Sequence, residues 1–467
     1  MKIKSIVVAL AAVLAAPIAM AQDLSTLGIP ANNVIYMAGA SAQTPGLAKT
    51  LTGFCNSPIE TYSGFGSATN NFVYYCSSAK ATSTSGVSTG FTATSKFAVL
   101  KVDQGGSFNG VAAVSPTSAL PASYPKFPTL VCNSTPNSAV SAAVIAGSNV
   151  GTCTLEAANN VRPQLGLTDV PKSIWSGRGQ LSAADDANLK TVSGFAGQGF
   201  GVAVSAQLYA ALQADQGLAS TVQPSLSANQ YASLVQAGAD GQVWDILLPN
   251  AAKANAAGTA LPAGIAAWPP AAQLTLHRRQ ATSGTQASSD VYFLNNPCES
   301  GTSLGGAFTP TAGNATADAA AIYPDTTYAS AVNFLVNERS STGNVRTGLA
   351  AAGYAIGVLS LENPEAGIGG GAKYVKINGV SPTADTLQKA NLVNGSYDFA
   401  FELEIILAKT AAANINSFAN ALGKELGNGN VGFAGLYSDP NAGTLVEGET
   451  NHYTRSNNAC QKARWFW

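Results

Sequence analysis

Histidine is almost missing from this chain, and that scarcity is the first constraint on its chemistry. The 467 residues include two His, His277 and His452, and no two Cys stand at CxxC spacing. Nucleophilic hydrolysis by a Ser–His or Cys–His pair needs an imidazole close to the nucleophile, and zinc centres draw on clustered Cys and His. Both chemistries are disfavoured. Charge is equally sparse, with 10% charged residues and a formal net charge of −1. Nucleic acid needs a basic surface that displaces counterions, so it is excluded as a partner. Past the N-terminal segment, no uninterrupted apolar run reaches the roughly 20 residues that a membrane-spanning helix requires. The mature chain is expected to be soluble.

What is present begins with an export signal. Lys2 and Lys4 precede an apolar run from Ser5 to Pro17, and Ala19-Met20-Ala21 is a small-x-small cleavage site. This is the layout of a secretory signal peptide, residues 1–21, cut after Ala21. No Cys follows the cut, so lipid attachment is not indicated, and the product is expected in the periplasm or outside the cell. Six Cys in an exported chain read as disulfides before they read as metal ligands. Of the fifteen connectivities that six Cys allow, the parsimonious one is Cys55–Cys76, Cys132–Cys153 and Cys298–Cys460.

The stretch that organises the chain runs from Leu274 to Leu294, LTLHRRQATSGTQASSDVYFL. Leu274 and Leu276 start a period-two strand, Ser283-Gly284-Thr285 is a polar turn, and a helix can follow. Backbone N–H groups at such a helix start can hold an anion, and Arg279 could turn inward as a bidentate, charge-assisted partner. Similar junctions recur. Val34 to Met37 is a strand before Gly39-Ala40-Ser41-Ala42; Lys96 to Val102 is a strand before Gly105-Gly106-Ser107; Pro163 to Pro171 is a short apolar strand ending in a Thr168-Asp169 turn. Each has a plainer reading. The glycine segments could be ordinary tight turns, Asp169 could cap the next turn, and the Arg278-Arg279 pair could be solvated. His277 reads as a strand side chain, and Trp465 and Trp467 as packing on a surface groove. Later segments read as strands over Phe200–Val204, Lys373–Ile377 and Phe399–Leu407, as a helix end and then a buried strand over Gly348–Ser360, and as helices over 206–214, from Ser227 onward, and over 411–426. Residues near 55–95, 115–160 and 295–330 read as loop insertions, some stapled by disulfides.

With these segments in order, the sequence resembles the type II periplasmic solute-binding proteins, and among them the phosphate-binding subunit of the bacterial phosphate ABC transporter. Arg278-Arg279-Gln280-Ala281-Thr282-Ser283-Gly284-Thr285 resembles that family's Arg-Arg-x-x-x-Ser-Gly-Thr loop, and the weaker turns stand in the family's order. The resemblance implies an α/β fold of two lobes with a ligand cleft between them and disulfide-stapled insertions. Lobe one would be residues 22–197 with 400–467 and lobe two 198–399, joined by crossovers near Gly197–Val202 and Tyr397–Phe401. It implies an oxyanion, inorganic phosphate, held by Ser41, Ala42, Ser107, Asp169, Arg279, Ser283, Gly284 and Thr285, with Asp169 accepting the ligand's proton and so rejecting sulfate. It also implies an inner-membrane ABC permease as partner, a monomer, no cofactor and no enzymatic activity. One position departs from the family, which often has an Asp paired to the second Arg where this chain has Ala281. Two other readings are a secreted phosphatase and a structural or surface protein that kept the fold.

Overall fold

The computed structural model describes residues 21–23, 27–63, 71–103, 105–119, 130–133, 150–155, 161–236, 243–270, 272–298, 320–324, 333–382, 390–428, 435–442 and 450–465. Nearly all of the proposed signal peptide lies outside them. The chain is an α/β protein. In order, the elements that matter for the site are β1 (Val34–Gly39), α1 (Thr44–Leu51), β2 (Phe97–Val102), α2 (Gly106–Ala112), β3 (Leu165–Thr168), α3 (Lys172–Gly177), β4 (Leu189–Val204), β5 (Leu274–Arg279), α4 (Gly284–Leu294), β6 (Asn333–Arg339), α5 (Thr342–Ala350), β7 (Tyr354–Ser360), β8 (Ala400–Ala408) and α6 (Ala413–Leu426).

The strands follow their period-two patterns. In β2, Phe97 and Val99 enter one apolar cluster, while Ala98, Leu100 and Val102 enter another on the opposite face. A strand buried on both faces in this way reads as a continuous apolar run. Strand β1 pairs in parallel with β2 on one side and β3 on the other. Farther along, β5 pairs in parallel with β6 and with β7. Between these two parallel groups stand β8 and β4, each antiparallel to its neighbours. Strand β4 carries the sheet from one group to the other. It pairs with β8 over Leu189–Gly199 and with β7 over Phe200–Val204, so its partner changes at one peptide unit.

Three glycines set how closely α2 lies on the sheet. A Cβ on Gly39, which sits at φ +115°, would overlap the Leu167 carbonyl; one on Gly166 would overlap the Gly110 carbonyl; one on Gly110 would overlap Leu167 O. The backbone of α2 is therefore in direct contact with β1 and β3, with no side-chain layer between them. That contact is what brings Ser107, in the first turn of α2, up to the end of β3.

The stretch read as a stapled insertion is only partly loop. Asn71–Cys76 is a fully buried strand antiparallel to β2, and Glu60–Ser63 pairs with it in turn. Its alternating Phe72, Tyr74 and Cys76 face the same cluster as Phe97 and Val99. The sequence NFVYYC carries the β-branched and aromatic content of a strand, but its flanking Ser/Asn/Gly residues hide it. Leu130–Asn133, Val150–Leu155 and Ala320–Pro324 are strands as well. Cys55–Cys76 and Cys298–Cys460 are disulfides. The backbone register sets Cys132 opposite Cys153, and the side chains of that pair lie outside the described residues.

The C-terminal segment straps onto β8. The buried Glu402 carboxylate accepts from Arg455 N at 2.6 Å, from Asn457 N at 2.7 Å and from the Thr454 hydroxyl. Trp465 is paired through its backbone with Tyr453; its side chain and Trp467 lie outside the described residues. No helix among the described residues is long and apolar enough to cross a membrane. Because α2 touches the sheet through backbone alone, Gly110→Ala should cost about 1–3 kcal/mol of stability through overpacking, read as a lower urea midpoint with unchanged slope. An unchanged midpoint would show that the contact is not tight.

Candidate functional site

Both parallel groups end at polar residues. Past the carboxyl ends of β1, β2 and β3 stand the turn Ser41–Gln43, then Asp103 and Asp169. At or past the ends of β5, β6 and β7 stand Arg279, then Ser340 and Glu362. Ligands in open α/β sheets bind outside the carboxyl ends of the strands, where chain direction leaves the edges free of crossing connections.

Strand alternation sends the two adjacent arginines to opposite sides. Arg278 pairs with Glu338 at 2.7 Å. Arg279 instead donates from Nη1 to the Thr342 hydroxyl at 2.7 Å and from Nη2 to the Ser340 carbonyl at 3.2 Å, while its backbone N–H donates to Gln286 Oε1 at 3.1 Å. Among the described residues its guanidinium has no ion-pair contact, and its buried Nε has no hydrogen-bond partner. Burial pulls Arg279 down to about 10, against the opposing influence of the Asp169 and Glu362 charges. It remains a cation at neutral pH. His277 is packed as a strand side chain: its ring lies against Gly348 of α5, and its Nδ1 accepts from Arg339 Nε at 3.1 Å.

Helix α4 begins beside Arg279. Ser283 is its N-cap in extended conformation and makes no side-chain bond to its own helix. Ser283, Gly284 and Thr285 are all buried. Gly284 is required by space, since a Cβ there would overlap Ser107 Oγ and stand 2.6 Å from Asp169 Oδ2. The helix start is thus pressed onto Ser107 and Asp169, so Ser107, Asp169, Arg279, Ser283, Gly284 and Thr285 are brought to one locus. Asp169 is 3% exposed. Its Oδ2 accepts from Ser107 Oγ at 2.9 Å and its Oδ1 from Gln43 Nε2 at 2.9 Å. Burial pushes its carboxyl upward, and the bonds from Ser107 and Gln43 pull it back. Asp169 therefore joins Gln43 and Ser107 and does not serve as the cap of the next helix, whose N-cap is Pro171.

Ser41 and Ala42 lie on the turn after β1, but the side chain of that turn that touches Asp169 belongs to Gln43. The turn is held from below by buried Lys101, whose ammonium donates to Ala40 O at 2.9 Å and to Thr44 Oγ1 at 2.8 Å and pairs with Asp103. Asp103 also accepts from Thr44 Oγ1 at 2.7 Å, and burial pushes it up to about 6 despite Lys101.

Bonds also cross directly from one side to the other. Phe108 N donates to Thr282 O at 3.1 Å, and Gln180 Nε2 to Ala281 O at 3.3 Å. Arg178, past the end of α3, pairs with Asp290 of α4 at 2.6 Å, and Asp290 accepts in turn from Gln286 at 2.8 Å. At Ala281, then, it is the backbone carbonyl that is used.

Four contributors escaped sequence reasoning: Gln43, Ser340, Thr342 and Glu362. Each stands within a few residues of a strand's carboxyl end, but that signal becomes readable only when strand order and direction are known.

Fold and site together describe an α/β protein in which two groups of parallel strands meet, carboxyl end to carboxyl end, over a buried Arg and a buried Asp. Among solved structures, the chain is similar to one described as a phosphate ABC transporter substrate-binding protein from Clostridium perfringens, solved with bound phosphate. That match has 11% identity and a TM-score of 0.39, and covers 85% of this chain and 96% of the other. An ABC-type phosphate transport receptor from Vibrio cholerae is matched at 14% identity and TM-score 0.29, covering 56% and 73%. PstS from Borrelia burgdorferi is matched at 12% and 0.29, covering 60% and 85%. No family model matches the chain, and no curated protein matches it in sequence. With TM-scores below 0.5, these likenesses carry no weight in the functional reading, which rests on the chain's own geometry.

Because Gly284 is packed against Ser107 and Asp169, Gly284→Ala should cost about 1–3 kcal/mol of stability through overpacking, read as a lower urea midpoint with unchanged slope; an unchanged midpoint would mean that the contact is not made in solution.

Proposed function

We propose that this protein captures inorganic phosphate, or an oxyanion of the same shape and protonation, between two lobes and presents it to an ABC-type permease. One observation carries the reading. Arg279 is a buried cation held by neutral dipoles, with no carboxylate in contact among the described residues. A buried charge is costly unless it is compensated, and an anion at the start of α4 would compensate it. Backbone N–H groups of α4 and the hydroxyls of Ser41, Ser283 and Thr285 are the neutral donors that would complete the cradle, with Ala42 contributing its backbone and Ser107, whose hydroxyl proton goes to Asp169, holding that carboxylate in place.

Asp169 supplies the selectivity. Both its oxygens already accept one bond from the protein, so the remaining lone pairs suit a ligand that brings its own proton. Phosphate keeps a proton at neutral pH, whereas sulfate has none and would set like charges together in a desolvated contact. The two lobes are residues 22–197 with 400–467 and residues 198–399, with β4 and β8 as the hinge strands. Binding is the role proposed, and the His277 ring takes no part in it, being packed on Gly348 and accepting from Arg339 Nε.

Isothermal calorimetry of the purified protein should show phosphate binding, and Arg279→Ala should weaken it by about 100-fold or more, the scale expected when one partner of a buried charge pair is lost. No heat with millimolar phosphate would sink the reading. Asp169→Asn should narrow the preference for phosphate over sulfate by about tenfold or more. A preference that survives the substitution unchanged would remove Asp169 as the selecting group.

A further inference from the structure

Three polar atoms around this locus are buried without a hydrogen-bond partner: Gln43 Oε1, Arg279 Nε and Glu362 Oε2. The first two belong to residues already placed in the cleft. The third is on a residue that neither composition nor motif singles out.

Glu362 stands two positions past the end of β7. Strand β7 runs parallel to β5 in the register Leu276 to Ile356 and His277 to Gly357, so Arg279 is level with Leu359 and Glu362 lies just beyond, over the same edge. The carboxyl is held at one oxygen. Ser360 Oγ donates to Oε1 at 2.7 Å and Asn363 Nδ2 donates to the same oxygen at 3.0 Å, which leaves Oε2 shielded from water and unmet. The charges of Glu362 and Asp169 both act on Arg279, and that of Asp169 acts on Glu362. Two carboxyls thus share one buried guanidinium, a composition that would leave the site negative if both were ionised.

We propose that Glu362 is a second acid of the same cleft, whose Oε2 hydroxyl donates a hydrogen bond to the bound oxyanion while protonated and which opposes the anion once ionised. This rests on the phosphate reading above and names the residue that sets its pH range.

The surroundings favour the protonated form. Burial, with the Asp169 charge acting in the same direction, pushes Glu362 up to about 8, against the bonds from Ser360 and Asn363. From the neighbouring elements it faces Asp169, Arg279 and Tyr374. The Tyr374 hydroxyl donates to Asn363 O at 2.8 Å and is held neutral by burial. On its own segment Glu365 is engaged, accepting from Tyr374 N at 3.0 Å, and Arg346 of α5 is bonded to Gly367 O. The sign follows. Below about pH 8 Glu362 is a donor to an anion; above it, a like charge beside that anion. An anion in the cleft raises its proton affinity further, so binding and proton retention are coupled.

The test is phosphate calorimetry on wild type and Glu362→Gln from pH 6 to 9.5. Ionisation of phosphate and of Asp169 is common to both proteins, so the quantity read is the ratio of the wild-type Kd to the variant Kd. The ratio should be level below pH 7.5 and climb toward about tenfold per pH unit above pH 8. Glu362→Ala, which removes both donor and charge, should show the same absence of alkaline loss. A ratio level across the whole range, with both proteins binding, overturns Glu362 alone. No phosphate heat in the wild type overturns the phosphate reading and Glu362 as its donor together. A ligand-free arm reads the acid itself. A carboxyl whose folded value is raised binds a proton that the unfolded chain has lost, so wild-type Tm should fall relative to Glu362→Gln between about pH 4.5 and 8 and run parallel above. Parallel melting curves from pH 5 to 8 would also overturn it.

Discussion

The arrangement around the start of α4 turns on Arg279, a buried charge with no carboxylate in contact among the described residues. Buried Lys101 is met at contact by Asp103 and Arg278 by Glu338, whereas Arg455, near the C-terminus, donates to the carbonyls of Gln461 and Asp398. Arg279 is met by a hydroxyl and a carbonyl. Taking a guanidinium out of water costs several kcal/mol unless something restores the lost solvation, and dipoles restore only part of it. The carboxyls of Asp169 and Glu362 lie near enough to act on it and too far to pair with it. The positive charge at the start of α4 is therefore not cancelled by an ion pair. Ala281, two residues after Arg279, offers no countercharge.

Precision at such a site has to come from rigid elements. Backbone contact among Gly39, Gly110 and Gly166 fixes α2, and with it Ser107, against the end of β3. Helix α4 is fixed at both ends. Its first turn is packed on Ser107 and Asp169. Its last turn is anchored where Tyr292 stacks on Phe399 at 4.5 Å and bonds Asp398, and Cys298 just beyond it is joined to Cys460 of the C-terminal segment. That segment is in turn bonded to Glu402 of β8. Helix α4 therefore runs from Ser107 and Asp169 to the segment strapped onto β8, and the covalent tie acts just beyond its last turn.

Much of this was legible in the residues. The period-two runs of β1, β2, β5, β7 and β8 are plain in sequence because each carries apolar residues on alternating or on both faces, and the pairings Cys55–Cys76 and Cys298–Cys460 agree with the simplest bracketing. Asn71–Cys76 was not legible as a central strand, since polar neighbours on both sides give it the look of a loop. Gln43 could not be preferred over Ser41, because a turn's sequence does not say which of its side chains reaches a residue 126 positions away.

By itself the sequence determined the local pieces: which runs extend, where Ser-Gly-Thr opens a helix, and that Arg279 could turn inward beside it. Tertiary structure decided which pieces meet. Asp169 became a partner of Ser107 and Gln43, and Glu362 a neighbour of Arg279, through strand order and direction. Those are set by long-range pairing energies, shared across the whole sheet, that no single segment encodes. A buried charge such as Arg279 draws its meaning from that assembled surrounding, since its solvation is supplied by residues far from it in the chain.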